Sequence, residues 1–181
     1  RKLAETIDAP VTTTLMGLGT FPETDDRALK MLGMHGTEYA NYSIQECDLL
    51  LAIGVRFDDR VTGKVDKFAP KAKIVHIDID PTVIRKNVNV EIPVVGDIKH
   101  VLTELNKVVT PKGHPDWLTT IQKWKKDHPL QFNQNGGISP QEVISQVAKL
   151  TNHDAIITTE VGQNQMWAAQ YFDYVHPRSF L

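Results

Sequence analysis

The stretch LLLAIGVRFDDRV at residues 49–61 decides the fold class. Its first five residues are an unbroken apolar run, as in a strand that is covered on both faces of a parallel sheet. The run stops at Gly54, and two arginines, Arg56 and Arg60, follow within six residues. Ligands of α/β folds bind beyond the carboxyl ends of parallel strands, so this pattern is typical of a phosphate-binding site.

Strands and helices are predicted to alternate along the rest of the chain, which is the pattern of a parallel sheet between layers of helices. The predicted strands cover 11–17, 49–55, 73–79, 92–95 and 155–162. The predicted helices cover 1–7, 26–32, 38–47, 98–109, 117–127, 140–150 and 163–171, and another is expected to start at Asp80-Pro81. The fold class is therefore α/β, with a Rossmann-like parallel sheet and flanking helices, followed by the truncated start of a second α/β domain.

Two punctuating segments set the expected domain boundaries. The first is Thr110-Pro-Lys-Gly113, and the second is QFNQNGG at 131–137, which has the composition of a flexible linker. We predict a domain over 1–111, a connecting helix and linker over 112–137, and the start of another domain over 138–181. The abrupt first and last residues lead us to expect a piece of a larger polypeptide.

Helix starts are signalled at two places. Ser139 followed by Pro140, with Glu142 three residues after the serine, is a capping-box pattern. Asp97 follows Gly96 just before a predicted helix, where a capping role is favoured over a contact with a nucleotide.

Composition argues against several partners. The formal net charge is −2 over 181 residues, and no block of lysine and arginine offers the basic face that nucleic acids need. The densest basic run, at 123–126, lies on a predicted amphipathic helix with Trp117, Ile121 and Trp124 on its apolar face, so its lysines are expected to face solvent. No apolar run approaches 18 residues, so no membrane span is predicted.

Cysteine and histidine usage is equally plain. Cys47 is the single cysteine, which excludes an internal disulfide and favours a reducing compartment, for which we predict the cytoplasm. It shares a helical face with Ala40 and Ile44, so a core position is favoured over a nucleophile. The seven histidines lack metal-ligand spacing, and no metal site is predicted in this chain.

Three segment ends are expected to gather at one edge of the sheet. They belong to VTTTLMG at 11–17, MLGMHG at 31–36 and GVRFDDRV at 54–61. Arg56 and Arg60 suit phosphate oxygens, but their pairing with the two intervening aspartates in a surface ion network is an equally good interpretation.

Other polar residues in these segments suit a nucleotide. Met34 and His35 suit a flat heterocycle, because a thioether is polarizable and an imidazole can donate or accept, although a lone histidine beside a glycine is more often structural. Asp78 ends the predicted strand IVHIDI, where carboxylates accept hydrogen bonds from sugar hydroxyls.

The junction of the last predicted strand and helix suits an anion. Gln163 and Asn164 follow Gly162 there, at a helix start with free N–H groups. On local grounds an ordinary turn is the favoured interpretation.

Five blocks, in this order, resemble a single family. They are LMGLGTFPE (15–23), MLGMHGTEYANYSIQECDLLLAIGVRFDDRVTGK (31–64), IVHIDIDP (74–81), IPVVGD (92–97) and EVGQNQMWAAQYF (160–172). Together they resemble the large, catalytic subunit of acetohydroxyacid synthase (acetolactate synthase), a family of thiamine-diphosphate enzymes. The resemblance covers nearly the whole chain, and RFDDRVTG and GQNQMWAAQ are its most specific blocks.

The resemblance implies three domains, of which this chain matches most of the central, FAD-binding one and the opening of the C-terminal one. The implied FAD contacts are Leu15, Met16, Gly33, Met34, His35, Gly36, Gly54, Arg56, Asp58, Arg60, Val61, Asp78, Ile79 and Asp97. The implied thiamine diphosphate contacts are Gln163, Asn164 and Met166. Asn164 stands where many members carry histidine, and its amide can still donate to a phosphate oxygen. The Mg²⁺ ligands and the catalytic glutamate are expected outside this chain.

The resemblance also implies a reaction and partners. Pyruvate loses carbon dioxide, and the remaining two-carbon unit adds to a second 2-oxo acid on the way to valine, leucine and isoleucine. The flavin takes no part in net redox. A homodimer or tetramer of the full-length chain and a small regulatory subunit are implied. We expect this chain alone to be inactive on pyruvate and to bind FAD weakly or not at all.

Two alternatives are retained. One is a different thiamine-diphosphate enzyme, such as a pyruvate oxidase or decarboxylase, against which RFDDRVTG and QMWAAQ argue. The other is a non-catalytic nucleotide-binding module, against which the second α/β segment after residue 138 argues.

Overall fold

The computed structural model describes residues 1–132 and 136–181. Its helices are α1 (Lys2–Thr6), α2 (Glu38–Glu46), α3 (Asp59–Thr62), α4 (Ile98–Val108), α5 (Pro115–Asp127), α6 (Pro140–Leu150) and α7 (Gln163–Tyr171). Its strands are β1 (Val11–Thr13), β2 (Ala28–Met31), β3 (Leu49–Ile53), β4 (Lys73–Asp78) and β5 (Ile92–Val95). These elements form two compact units. The first unit contains Arg1, Pro10–Ala40 and Pro115–Leu181, and the second unit contains Lys2–Ala9 and Asn41–His114.

The second unit is built on a parallel sheet with the strand order β3-β4-β5. Ala52, Ile74 and Ile77 are buried on these strands, and full burial of each large aliphatic side chain contributes roughly 1.5–3 kcal/mol. Helix α4 contacts both α1 and β4. The predicted parallel sheet with flanking helices is confirmed in this unit.

The first unit joins a short parallel strand pair to a helical core. Strands β1 and β2 pair from Val11↔Ala28 to Thr13↔Met31. The buried core is made by residues from the segment between β1 and β2, from β2, α6 and α7, and from the segment after α7, namely Leu18, Met31, Ala148, Ala168, Ala169, Phe172, Tyr174 and Phe180. This core fixes the position of α7 relative to the strand pair.

Strand β2 corrects the sequence prediction, which was wrong in placing a helix over 26–32. Ala28, Leu29 and Met31 are buried, and the backbone of this segment pairs with β1, so tertiary pairing overrides local helix propensity. The predicted strand over 11–17 is also too long, because Leu15–Gly17 forms a 3-10 turn.

Two further predictions are wrong. No helix starts at Asp80-Pro81, because the Asp80 carboxylate accepts from the backbone N–H of Thr82 at 2.8 Å and closes a local turn instead. The segment 155–162 is not a continuous strand: Ile157 forms an isolated parallel bridge with Phe180, and backbone hydrogen bonds join Ile157 and Thr159 to residues 179–181.

The capping predictions are confirmed. The Asp97 carboxylate accepts from the backbone N–H of His100 at 3.0 Å and caps α4. The Ser139 hydroxyl accepts from the N–H of Glu142 at 3.2 Å at the start of α6, where Pro140 is the first helical residue. The predicted linker 131–137 includes Asn133, Gln134 and Asn135, which lie outside the described residues.

Helix α5 differs from its prediction at one lysine. Lys123 and Lys126 are exposed, but the Lys125 ammonium donates to the Asp26 carbonyl at 2.6 Å and lies 5.9 Å from the centroid of the Tyr39 ring. Burial lowers the pKa of Lys125 despite the nearby aspartates. In the described part of the chain, no helix is both long enough and apolar enough to cross a membrane.

Candidate functional site

The loop after β3 presents two arginines to solvent. The Arg56 guanidinium donates to the Asp58 carboxylate at 2.9 Å, and Arg60 pairs in the same way with Asp59 at 2.9 Å. The Arg56 and Asp58 side chains are 72% and 52% exposed. The ion-pair interpretation is therefore what the structure shows. Such exposed pairs contribute only about 0–1 kcal/mol, so they do not prevent either arginine from exchanging its carboxylate for a phosphate.

Gly54 is required where this loop begins. Its φ is +63°, a conformation that favours glycine, and an added Cβ would lie 2.7 Å from Cδ1 of Ile98 on α4. A side chain at this position would therefore strain the backbone and force the Ile98 side chain to shift. Val61, also among the predicted contacts, lies on the short helix α3 and is partly exposed.

The strand end at β4 carries one buried and one exposed candidate. Asp78 is buried, and its Oδ1 accepts from the backbone N–H of Asp80 at 2.9 Å. Ile79 is exposed. Asp97, after the neighbouring strand β5, is engaged as the α4 cap, so its carboxylate already has a structural partner.

In the first unit, the ends of β1 and β2 lie at the same edge of their parallel pair. Met16 and Met34 are exposed there, and Leu15 is partly exposed within the 3-10 turn. The His35 side chain is exposed, while its carbonyl accepts from Nε2 of Gln170 on α7 at 2.9 Å.

Glycine is favoured at the two glycine positions of the MLGMHG turn for different reasons. Gly33 has φ +94°, and a Cβ on Gly36 would overlap the Met31 carbonyl oxygen. The turn therefore folds tightly against the end of β2 and holds Met34 outward.

The expectation that three segment ends share one sheet edge is wrong in its third member. The β1 and β2 ends belong to one sheet, but the loop after β3 belongs to the other, three-stranded sheet. Strand β1 hydrogen-bonds with β2, and β3 hydrogen-bonds with β4, so the segments that follow β1 and β3 belong to different sheets.

Helix α7 carries the remaining predicted contacts near its start. Gln163 and Asn164 are exposed, and Met166 is partly buried. Oδ1 of Asn164 lies 2.7 Å from where a Cβ on Gly162 would stand. Gln170, which holds the His35 carbonyl, lies seven residues further along, about 10 Å along the helix axis.

Several polar groups near these segments carry no local sequence signal. His76 is fully buried, and its Nε2 lies 2.9 Å from the Val55 carbonyl oxygen. The exposed Asn87 donates from Nδ2 to the carbonyls of Arg56 and Phe57. Their partners lie 21 to 31 residues away, so neither periodicity nor motif spacing could have found them.

The structure corrects the position predicted for Cys47. Cys47 is half-buried rather than core, and burial raises the pKa of its thiol to about 11, which agrees with the prediction that it is not a nucleophile. Within residues 1–132 and 136–181, no three His, Cys, Asp or Glu side chains cluster in a way that could hold a metal ion.

The parallel sheets, the glycine-bounded loops and the arginine-bearing strand end are those of an α/β protein, and comparison of its sequence with known families gives the class. The model for the family described as thiamine pyrophosphate enzyme, central domain, matches residues 1–105. The chain belongs to the thiamine pyrophosphate enzymes.

Within that family the relatives are more specific. The chain is 48% identical over 186 residues to the acetolactate synthase large subunit of Buchnera aphidicola subsp. Acyrthosiphon pisum (strain APS). It is 50% identical over 188 residues to the chloroplastic acetolactate synthase 1 of both Zea mays and Nicotiana tabacum. All of this chain is covered in each case, against 33%, 30% and 28% of the respective relatives. The chain thus spans about a third of the length of the curated relatives it matches.

Proposed function

We propose that this chain is part of the large, catalytic subunit of an acetolactate synthase. The observation that carries the proposal is the extent of the similarity. The central-domain match ends at residue 105, whereas the identity of about 50% to acetolactate synthases extends over the whole chain, including α7. The more general alternatives, another thiamine-diphosphate enzyme or a binding module, leave that second region unexplained.

The proposed reaction joins two 2-oxo acids. Pyruvate loses carbon dioxide, and the remaining two-carbon unit adds to a second pyruvate or to 2-oxobutyrate. Thiamine diphosphate, when bound, supplies the stabilised carbanion chemistry for this step, and the protein orients the cofactor. We assign Gln163, Asn164 and Met166 to that orientation, because the first two are exposed at the start of α7, where amide and backbone donors suit a diphosphate.

FAD is proposed as a second cofactor. The residues present fit it in kind. In the second unit, Arg56 and Arg60 are cations in exposed ion pairs and suit phosphate oxygens. In the first unit, Met16 and Met34 are exposed apolar side chains of a kind that packs on a flat ring. The proposed contacts are those that the resemblance implies, namely Leu15, Met16, Gly33, Met34, His35, Gly36, Gly54, Arg56, Asp58, Arg60, Val61, Asp78, Ile79 and Asp97. Asp97 is the weakest member of this set, because its carboxylate already caps α4.

Magnesium ligands are proposed to lie elsewhere in the full-length protein. We also propose a homodimer or tetramer of that protein and a small regulatory partner, which the name "large subunit" of the Buchnera relative supports. The cytoplasm is the proposed compartment, on the basis of the single cysteine.

Product identification tests the proposal. The full-length gene product is supplied with pyruvate, thiamine diphosphate, Mg²⁺ and FAD, and the product is identified by mass spectrometry. Acetolactate is the expected product. Acetaldehyde, or acetyl phosphate with hydrogen peroxide, would assign the protein to a different thiamine-diphosphate enzyme. Absence of turnover would overturn the enzymatic proposal and favour a binding module.

A further inference from the structure

Side chains hold three successive carbonyls in the loop after β3. The Val55 carbonyl accepts from Nε2 of His76 at 2.9 Å. The next two, those of Arg56 and Phe57, accept from Nδ2 of Asn87 at 3.3 and 2.9 Å. This stretch of backbone has left the sheet ladder, and its acceptors are satisfied from the segments that follow β3 in sequence.

The conformation held in this way is an unfavourable one. Phe57 has φ +54°, in the left-handed region that a residue with a Cβ avoids. Its ring is buried, with edge-to-face contacts to His76 at 5.1 Å and to Phe68 at 5.6 Å between ring centroids. Such a residue keeps its conformation only where surrounding contacts over-determine it. The buried rings and the Asn87 amide provide those contacts.

The left-handed residue sets the direction of its neighbours. Arg56 and Asp58 flank Phe57, and both point to solvent as an ion pair. A change in the backbone at Phe57 would redirect the Arg56 guanidinium. Asn87 itself is exposed, so its contribution is the pair of hydrogen bonds rather than packing.

We infer that Asn87 is a positioning residue for Arg56. It preorganises the turn 55–58 so that the guanidinium is already presented for a phosphate-bearing ligand, which in the proposed function, on which this inference rests, is FAD. Without the Asn87 donors the turn must become ordered when the ligand binds, and the entropy lost in that ordering weakens the affinity. His76 is buried at the same turn and also supports the sheet, so its substitution would report mainly on folding.

The inference is tested on the full-length protein with Asn87→Ala and Asn87→Asp. The aspartate keeps the size of the side chain but replaces the donor with a carboxylate oxygen. Asn89→Ala is the matched control, because Asn89 is also exposed and lies two residues further along the same segment. Arg56→Ala serves as the reference for loss of the phosphate contact.

Three measurements are made. Hydrogen exchange of the amides in 54–60 and FAD titration by quenching of flavin fluorescence start from flavin-free protein, and kcat is measured at saturating FAD. Both Asn87 variants are expected to exchange faster in 54–60 and to bind FAD about tenfold more weakly, with kcat at saturating FAD unchanged. Asn89→Ala is expected to match wild type in all three.

Unchanged hydrogen exchange in the Asn87 variants would overturn the inference, whatever the flavin result. Faster exchange with unchanged FAD affinity, while Arg56→Ala weakens binding, would also overturn it. If wild type itself binds no FAD, the flavin part of the proposed function fails. The exchange data then still decide whether Asn87 holds the turn.

Discussion

A group of ionisable residues in the first unit shows how burial and neighbouring charges shift the pKa of a side chain. Glu23 is buried and accepts from the backbone N–H of Tyr174 at 2.9 Å through Oε2, while its Oε1 has no described partner. Burial raises the pKa of Glu23 to about 7, although the nearby Lys30 opposes that rise. Burial alone would lower the pKa of Lys30, but Glu23 and Asp173 more than offset it and raise it. Tyr39 also lies within reach of this charge group.

The raised pKa predicts that Glu23 makes stability fall as pH rises. Below pH 4.5 the Glu23 carboxyl is protonated in both the folded and the unfolded state, so it does not lower the free energy of unfolding. Between pH 4.5 and about 7 the unfolded state ionises first and is favoured. Above about pH 7 the full loss of stability, on the order of 3 kcal/mol, is present.

Glu23→Gln is therefore expected to raise the melting temperature at pH 8 and to leave it nearly unchanged at pH 4.5. Thermal unfolding of both forms at the two pH values measures this. Glu160→Gln, an exposed carboxylate in the same unit, is the control and should change neither. A Glu23→Gln protein that is less stable at pH 8 would show that attraction to Lys30 outweighs the burial penalty.

At the scale of elements, Asp97 has two candidate roles, capping of α4 and contact with FAD, and substitutions can distinguish them. Loss of an N-cap costs about 1 kcal/mol, and asparagine caps as well as aspartate. Asp97→Ala is therefore expected to lower the melting temperature, and Asp97→Asn to retain most of it. If capping is the only role of Asp97, Asp97→Asn binds FAD as wild type does.

Ser139→Ala removes the corresponding cap of α6 and is the matched control. It is expected to lower stability by a similar amount without affecting FAD binding. A stable Asp97→Asn protein with weakened FAD affinity would contradict the capping-only role and show that the carboxylate charge contacts the flavin.

The same elements show where local sequence is informative. Helices α4, α6 and α7 were predicted within a residue. A capping residue marks the start of α4 and of α6, whereas α7 follows Gly162 and has no side-chain cap. Strand β2 was not, because its four residues carry no alternation of their own and depend on pairing with β1. The prediction of a helix start at Asp80 was wrong for a related reason. Aspartate before proline is typical of both a helix start and a turn, and the hydrogen bond from the Thr82 N–H to the Asp80 side chain favours the turn.

At the scale of the whole molecule, parallel pairing of the strands could be predicted from the sequence. The division of the strands into two sheets could not. Parallel strands were predicted from apolar runs, and β1, β3, β4 and β5 are present, whereas the predicted strand over 155–162 is reduced to an isolated bridge. Their separation into a strand pair and a three-stranded sheet depends on which strands hydrogen-bond, and this is decided by contacts between distant residues. The support of Arg56 by Asn87 is non-local in the same sense, since 31 residues separate the two.

The exposed apolar side chains of the first unit lead to a prediction for the chain as a whole. Leu150 is 83% exposed, Ile156 is 68% exposed and Val161 is 91% exposed, all within twelve residues. Single exposed apolar residues are ordinary, but a contiguous exposed apolar patch favours association. The 181-residue chain by itself is therefore expected to self-associate as its concentration rises, as measured by sedimentation velocity.

Replacing Leu150 and Val161 together by lysine is expected to shift that association to higher concentration, because it removes apolar area and adds like charges to the associating surface. Val108→Lys is the matched control: Val108 is 74% exposed at the end of α4 in the second unit, far in sequence from the other three. If this control reduces association as strongly as the double variant, added charge alone explains the effect and the apolar side chains of 150–161 are not responsible. A wild-type chain that stays monomeric at every concentration tested would contradict the prediction directly.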